Sequence, residues 1–468
     1  MNTTSTTEPI DATALDGTGA RYLRPGDPEF AEAVGAAHGT NHAPALVAMA
    51  KTPQDVAEAV RLARAEGYGV GVMATGHGTG YAVRGGLLIN TSGMRGLLLD
   101  PVTRVARAEA GVTWEELNAR AARHGLFGLQ GSNSVVGVVG YTLGGGFGWL
   151  GRHHGLASGS VLSADAVSAD GELLRASATE HPELFWGLRG SAGNLGVVTA
   201  IELRLVELDS VYGGALFYPL ADAARVLAGY AAWAAGQPDE LASSVVLANF
   251  PPLPIVPEPL RGGSFACVRL CYSGLDPVRG AEAARQLRGV LGEPLIDQLR
   301  VMPASQIDTI SAEPRDPVPV ATHSALVREL SPQLIDALTA VQTADSPLVF
   351  VELRQLGGAL RPADDQLSPL NRTDAGFSVN AIGLAVTPEL EAAVRARLSV
   401  LRQRLDPLTD GAGYVNFLEG AEGAARMKTA FAAADWNRLM RLKTQWDPTN
   451  LFRFNRNIPP YPGPMSVG

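Results

Sequence analysis

Along residues 44–111 the apolar positions switch between short unbroken runs and a helical spacing. The runs ALVAMA, GVGVMA, GGLLIN and RVARAEAG predict strands. After the first run, TPQDVAEAVRLARAEG places Val56, Ala59, Val60 and Ala63 on one face. Pro53 suits the first turn of that helix and Gly67 ends it. TWEELNARAARHG opens on a capping box, Thr113 with Glu116, and stops at Gly125. This alternation predicts an α/β or α+β domain of nucleotide-binding size. LSADAVSADGELL predicts a hairpin turning at Asp170–Gly171. HPELFWGLRGSAGNLGVVTAIELRL reads as a short helix, a glycine turn and a strand.

Near residue 208 the texture changes. VYGGALFYPL, FACVRLCYSG, PLVFVELRQLGG and GFSVNAIGLAV are longer strands, separated by amphipathic helices such as DAARVLAGYAAWAAG and PELEAAVRARLSVLRQRL. They predict an antiparallel sheet backed by helices. PPLPIVPEP reads as a proline-rich surface loop. From about residue 411 the chain changes again, through GYVNFLEG to a helix capped by Asp435 and a basic tail, LFRFNRNIPP.

At 468 residues the chain suits two domains. A net charge of −9 argues against a nucleic-acid or anionic-membrane partner. The first residues lack the basic and apolar parts of a secretory signal and read as a disordered tail. No apolar run is long enough to predict a transmembrane helix, so a cytoplasmic protein is the expectation. Cys267 and Cys271 share a strand about 13 Å apart, too far for a disulfide and a poor zinc site. No metal is expected.

Glycine changes this picture. His77 lies among Gly76, Gly78, Gly80, Gly85 and Gly86, which could be no more than a flexible turn. Two further clusters follow, at 137–151 and 190–196. Glycine lets backbone N–H groups approach an anion, and three clusters suggest a large ligand with a pyrophosphate and a flat ring system. Over residues 128–160 no period survives, which marks either a functional segment or a missed element. GFGWLG matches the dinucleotide fingerprint, but RHHGLASGS follows it where a helix with an apolar face is required, so a nicotinamide site is not expected. His153 and His154 are adjacent, point different ways and do not chelate one ion easily.

ATGHGTGYA, VVGVVGYTLGGGFGWLGRHHGLASGSVL, HPELFWGLRGSAGNLGVVT and RLKTQWDPTNLFRFNRNI, in this order, resemble the berberine-bridge-enzyme-like flavoproteins of the vanillyl-alcohol-oxidase superfamily. The resemblance covers about residues 44–208 and the C-terminal segment. It implies an α+β fold, a two-part PCMH-type FAD-binding domain plus a substrate domain with an antiparallel sheet backed by helices. The expected division is 1–40 as tail and lead-in, 41–208 as FAD-binding domain, 209–410 as substrate-binding domain, and 411–468 returning to the FAD domain. The resemblance implies FAD bonded covalently through its 8α-methyl carbon to His77, and a neutral imidazole is a competent nucleophile for that bond. Many relatives add a bond to a cysteine, but this position holds Asn133, so attachment through His77 only is expected. The resemblance also assigns Thr75, Gly76, Gly78, Thr79, Gly80, Gly137, Gly140, Tyr141, Gly144, Gly145, Gly146, Gly148, Gly196, Val198, Asn416 and Asn455 to the cofactor site. Val136 sits at the gate beside the reactive flavin carbon, where a side chain smaller than leucine leaves room for dioxygen. The Ala-, Gly- and Arg-rich composition fits a bacterium of high GC content and secondary metabolism.

On the substrate side, FSVNAIG aligns with a strand that supplies a glutamate base in some relatives. Here the position is Asn380, whose amide is no base, with Ser378 on the same face. Tyr414 in YVNF resembles a Y-x-N pattern whose tyrosine deprotonates an alcohol. A free phenol titrates near about 10, so a cation or a strong hydrogen bond must lower it. Arg354, with Glu352 on the same side of its strand, is the expected cation. The plainer reading is a core tyrosine and a solvated ion pair. Asn416 would touch the flavin or order its loop. The expected function is an FAD-dependent oxidase of an alcohol, an amine or a polyketide-like phenol, with O2 as acceptor and H2O2 as product. A flavin-dependent cyclase or non-oxidative ring-forming enzyme, and a catalytically silent flavin-binding protein, stay open as alternatives. The sequence names neither the substrate nor the oligomeric state.

Overall fold

Thr52 accepts the N–H of Asp55 at 3.2 Å, and the Asp55 carboxylate accepts the N–H of Thr52 at 2.9 Å. This reciprocal cap starts the helix Pro53–Ala65, with Pro53 in its first turn as expected. A second cap, Thr113 with Glu116, starts Trp114–Ala121. The computed structural model describes residues 19–35, 41–78, 81–254, 256–316, 318–361, 368–370, 374–409 and 411–463. The expected tail over 1–18 and the candidate residues Thr79 and Gly80 lie outside them.

Among the described residues the part before about residue 208 holds two main sheets. In the first, Leu46–Met49, Leu87–Asn90 and Val70–Met73 run parallel, and Arg21–Leu23 adds an antiparallel edge. Within the expected tail and lead-in, Arg21–Leu23 pairs with this sheet and the helix Phe30–Val34 packs against it. The second sheet is antiparallel, in the order Leu97–Asp100, Val105–Glu109, Val197–Arg204, Val161–Val167 and Leu173–Ser177. Its last two strands are the expected hairpin, closed where Gly171 N–H donates to Ser168 O.

The segment 128–160 is not devoid of period. It contains the helix Val138–Leu143 and short helical turns at Gly151–His154 and Ala157–Ser160. Flanking glycines hid them from the hydrophobic pattern. A four-residue helical turn, Gly151–His154, starts on the last glycine of GFGWLG.

Residues 209–410 form one large antiparallel sheet, ordered Ile296–Asp297, Ser210–Pro219, Ser264–Tyr272, Leu241–Asn249, Leu348–Gln355, Phe377–Leu384 and Val320–Val327, with Arg300–Pro303 also paired to Ser210–Pro219. The helices Ala223–Ala234, Pro277–Leu291, Pro332–Val341 and Pro388–Leu405 contribute to one core with Val245, Leu247, Val268, Leu353 and Val379. Each such side chain contributes roughly 1.5–3 kcal/mol when fully buried. Strand alternation turns Arg269, Ser244, Arg354 and Ser378 to the opposite face in one row, with Glu352, Asn380 and Ser324 in the next. Cys267 and Cys271 are buried free thiols.

The chain then returns to the part before residue 208. Asp435 does not cap the helix Ala433–Trp446 but lies inside its first turn, after Ala432. Lys443 and Asp447, both fully buried, pair at 2.6 Å, and Lys443 Nζ also donates to Asn194 O and Phe452 O. Arg152 joins the two parts from the glycine-rich segment, donating to Leu241 O at 2.8 Å and to Leu356 O. No helix among the described residues is long and apolar enough to cross a membrane.

Candidate active site

The half-buried His77 stands between Gly76 (φ 80°) and Gly78 (φ 65°), left-handed positions that a Cβ would strain. Its Nδ1 lies 3.2 Å from Thr75 Oγ1. The C-terminal segment braces this turn. Arg456 donates to Gly78 O at 3.4 Å, Asn416 O at 3.2 Å and Leu418 O at 2.8 Å. Tyr81 Oη donates to the same Leu418 carbonyl at 2.9 Å, with the Arg456 guanidinium over its ring. Sequence reasoning saw Arg456 only as part of a basic tail; its role needs two segments more than 300 residues apart in the chain.

Gly137 begins the helix Val138–Leu143, close to Thr75, and Gly140 faces open space. At Gly144 a Cβ would sit inside the Asn416 amide. Asn416 Nδ2 donates to Tyr141 O at 3.0 Å, so Asn416 orders this turn. Gly145, Gly146 and Gly148 continue it. Part of the glycine content therefore serves contacts within the protein. Val136 is half-buried, and its carbonyl accepts the Trp114 N–H. Gly196 and Val198 lie at the start of the strand Val197–Arg204, and Val198 pairs with Ala166. Asn455 Nδ2 donates to Gly193 O at 3.3 Å. The buried polar atoms Tyr141 Oη and Asn455 Oδ1 have no protein partner, which fits a large polar ligand along this surface. Asn133, by contrast, is engaged: it donates to Pro314 O at 2.9 Å and accepts the Val135 N–H at 3.2 Å.

Tyr414 Oη accepts the Phe147 N–H at 3.0 Å and the Asn416 amide at 3.3 Å. Burial pushes its pKa above the usual phenol range despite these donors and Arg456. Arg354 is not the cation that lowers Tyr414. It donates to both oxygens of Glu352 at 3.1 Å and to Ser132 Oγ at 2.8 Å, and stacks over Trp149 at 4.7 Å. The expected same-side placement of Arg354 and Glu352 holds, but they are a buried pair, not a solvated one. Burial alone would raise the Glu352 carboxyl; Arg354 and Arg269 (3.6 Å away) outweigh it and hold it below its ordinary value. Asn380 lies beside Glu352 in register, with Ser324 on its other side. Beside Tyr414 opens an apolar crevice lined by Phe147, Leu326, Leu356, Leu370 and Val415. Arg269, Ser132 and Glu313, which also touch on this charged cluster, carried no signal in the sequence because loop and strand meet only in the fold.

His153 and His154 stack at 3.9 Å, and His153 Nδ1 lies 3.1 Å from Ser273 Oγ. Burial, then His153, pushes His154 down to about 4, which suits neutral packing. Among the described residues no cluster of three or more His, Cys, Asp or Glu side chains is placed to hold a metal.

Residues 44–177 match the FAD binding domain family, and residues 413–459 match the berberine and berberine-like family. An (R)-6-hydroxynicotine oxidase from Paenarthrobacter nicotinovorans is 30% identical over 435 residues, 89% of this chain and 91% of that protein. The crystal structure of 6-hydroxy-D-nicotine oxidase from Arthrobacter nicotinovorans superposes with a TM-score of 0.81 at 25% identity, covering 94% of this chain and 98% of that one. A xylooligosaccharide oxidase from Myceliophthora thermophila, with xylobiose bound, shares the fold at a TM-score of 0.83 and 20% identity, over 96% and 99% of the two chains. The braced His77 turn, the glycine-lined surface and these matches over nearly the whole length agree: the chain belongs to the berberine-bridge-enzyme-like family of FAD-linked oxidoreductases, with FAD as its cofactor.

Proposed function

We propose that this protein is an FAD-dependent oxidase, with the flavin attached through His77 alone, that acts on a small organic alcohol or amine and uses O2 as electron acceptor. The observation that carries the reading is the convergence of three segments. The His77 turn, the turn at Gly137–Gly146 and the Tyr414–Asn416 turn are tied together by Arg456 and Asn416. Bound there, FAD supplies a hydride acceptor and a route for electrons to dioxygen.

Thr75 holds the His77 imidazole in place for its bond. Asn133 offers no thiol, and its amide is already spent on Pro314. Val136 keeps the gate small. Tyr414 is a neutral phenol at neutral pH, its oxygen occupied by two N–H donors, so it presents its own proton to the substrate and orients it. The apolar crevice beside Tyr414 suits a ring or chain on the substrate, and the charged sheet face suits its polar end. The name of the 30%-identical relative makes 6-hydroxynicotine the first compound to try.

The test is direct. Acid-precipitated protein should stay yellow, and the peptide containing His77 should carry the flavin mass. A panel of amines and alcohols should include a compound that bleaches the flavin without oxygen, with one peroxide per product in air. A peptide without flavin overturns the attachment. Product without peroxide would put the ring-forming reading in its place, and a flavin that nothing bleaches would favour the silent one.

A further inference from the structure

The charged sheet face contains a carboxylate that the reading above does not use. Ser311, Ala312, Glu313, Pro314 and Arg315 form a loop held from several sides. Trp149 Nε1 donates to Ser311 Oγ at 3.0 Å, and Arg269 donates to Ser311 O at 2.7 Å. Asn133 donates to Pro314 O at 2.9 Å, and Arg315 pairs with Glu115 at 2.6 Å. Between these anchors Ala312 has φ 50°, a left-handed conformation that an alanine keeps only where its surroundings impose it. What this strained loop presents is Glu313, bonded to Ser132 and facing Arg354, Glu352 and Arg269. Ser132 is also the residue that Arg354 grips at 2.8 Å. Glu313 is exposed to solvent at the edge of this cluster.

The same cluster has two unsatisfied buried atoms, Arg354 Nε and Tyr141 Oη. Arg354 interacts with both Glu313 and Tyr141, so an acceptor, a spare donor and a phenol converge on it, the set that recognises a group able both to donate and to accept a hydrogen bond.

We propose that Glu313 takes the proton from the reacting O–H or N–H of the substrate, with Arg354 Nε and Tyr141 Oη holding the same group. This rests on the oxidase reading. The substrate H–C–X–H gives its X–H proton to the Glu313 carboxylate and its C–H hydrogen, with both electrons, to oxidised FAD. The C=X bond forms, and Glu313 returns the proton to solvent. The other acid–base groups at this face suit the step less well. Glu352 is locked by two arginines, Asn380 is an amide, and Tyr414 is a neutral phenol with its oxygen occupied. Crowding raises the Glu313 carboxyl, which brings a base toward working pH. Arg354 and Glu352 face it from Leu348–Gln355, and Arg269 faces it from Ser264–Tyr272. Further off lie Asp308, bonded to Ser134, and the Arg315–Glu115 pair at the rim.

The experiment uses the flavin-loaded protein and the compound that bleaches it in the screen, with anaerobic flavin reduction followed from pH 5 to 9. In the natural protein the rate should fall on acidification as Glu313 gains its proton. Glu313→Gln should lose about 100-fold or more and flatten that acid limb, whereas Glu313→Asp should restore part of both. Flavin content and melting temperature should not change. A Glu313→Gln protein that keeps the natural rate and acid limb overturns the proposal and leaves the oxidase reading standing. So does an acid limb removed instead by Glu419→Gln, at the Arg456 end of the site. If no compound bleaches the flavin, the oxidase reading fails by itself. Infrared titration of the carboxyl band then decides for Glu313: a band lost in Glu313→Gln that titrates above the ordinary glutamate range supports it, and one in the ordinary range overturns it.

Discussion

Phe147 holds Tyr414 twice, donating its backbone N–H to the phenol oxygen at 3.0 Å and packing its ring on the same tyrosine at 4.7 Å between centroids. The bond links the glycine-rich segment to the C-terminal segment across the site. It also occupies the oxygen that proton abstraction would need.

Tyr414→Phe is therefore expected to act mainly through orientation. It leaves the Phe147 N–H without its acceptor, at a cost of about 1–3 kcal/mol. Flavin reduction should slow by roughly 10- to 100-fold, the range of one lost positioning hydrogen bond, with the shape of the pH profile kept. Stopped-flow reduction across pH checks this. A profile that loses its ionisation would return the base to Tyr414.

Gly144→Ala drives a methyl group into the Asn416 amide. Overpacking of this kind costs about 1–3 kcal/mol. Because Asn416 also ties down Tyr141, the flavin content of purified protein should fall together with the melting temperature. Unchanged loading would show that Asn416 has no part in ordering the cofactor turn.

Lys443→Met leaves the Asp447 carboxylate buried without its cation, although it keeps the N–H groups of Leu451 and Phe452. Breaking a buried pair from one side costs about 3–5 kcal/mol. Chemical denaturation should show that loss. Restoring neutrality with Lys443→Met plus Asp447→Asn should recover part of it.

The helix Gly420–Arg426 is tied to the strand Val320–Val327 where His323 meets Glu422 at 3.0 Å. That hydrogen bond, with Arg402 and Arg426 nearby, holds the Glu422 carboxyl below its ordinary value. A carboxyl lower in the folded than in the unfolded chain stabilises above about pH 4.3 and loses that contribution as pH falls through its folded value. Protection of the Val320–Val327 amides, measured as exchange relative to the intrinsic rate at each pH, should therefore fall below this pH, and Glu422→Gln should abolish the step.

Much of the local structure was legible because it depends on near neighbours. The Thr113–Glu116 cap, the Asp170–Gly171 turn and the alternation that put Glu352 and Arg354 on one face all follow from spacing along a few residues. The helix Val138–Leu143 was not legible, because its short apolar stretch is bounded by glycines that mimic a loop. Asp435 satisfied the composition rule for a cap, yet the helix began before it. The state of Tyr414 is not legible in the sequence for a different reason: a tyrosine motif says which side chain is present, not how deeply it is buried or which donors reach it.

The order of motifs along this chain was enough to point to a flavin fold, a histidine at position 77 set among glycines and the absence of a thiol at Asn133, since these are facts of residue type and order. Which groups meet was decided only by tertiary structure. Arg354 chose Glu352 and Ser132 over Tyr414, Arg456 reached back to Gly78, and a loop strained at Ala312 carried Glu313 to the same cluster. Spacing along a strand or helix constrains contacts over a few residues, while pKa and chemical role are set by burial and by partners that arrive from distant segments.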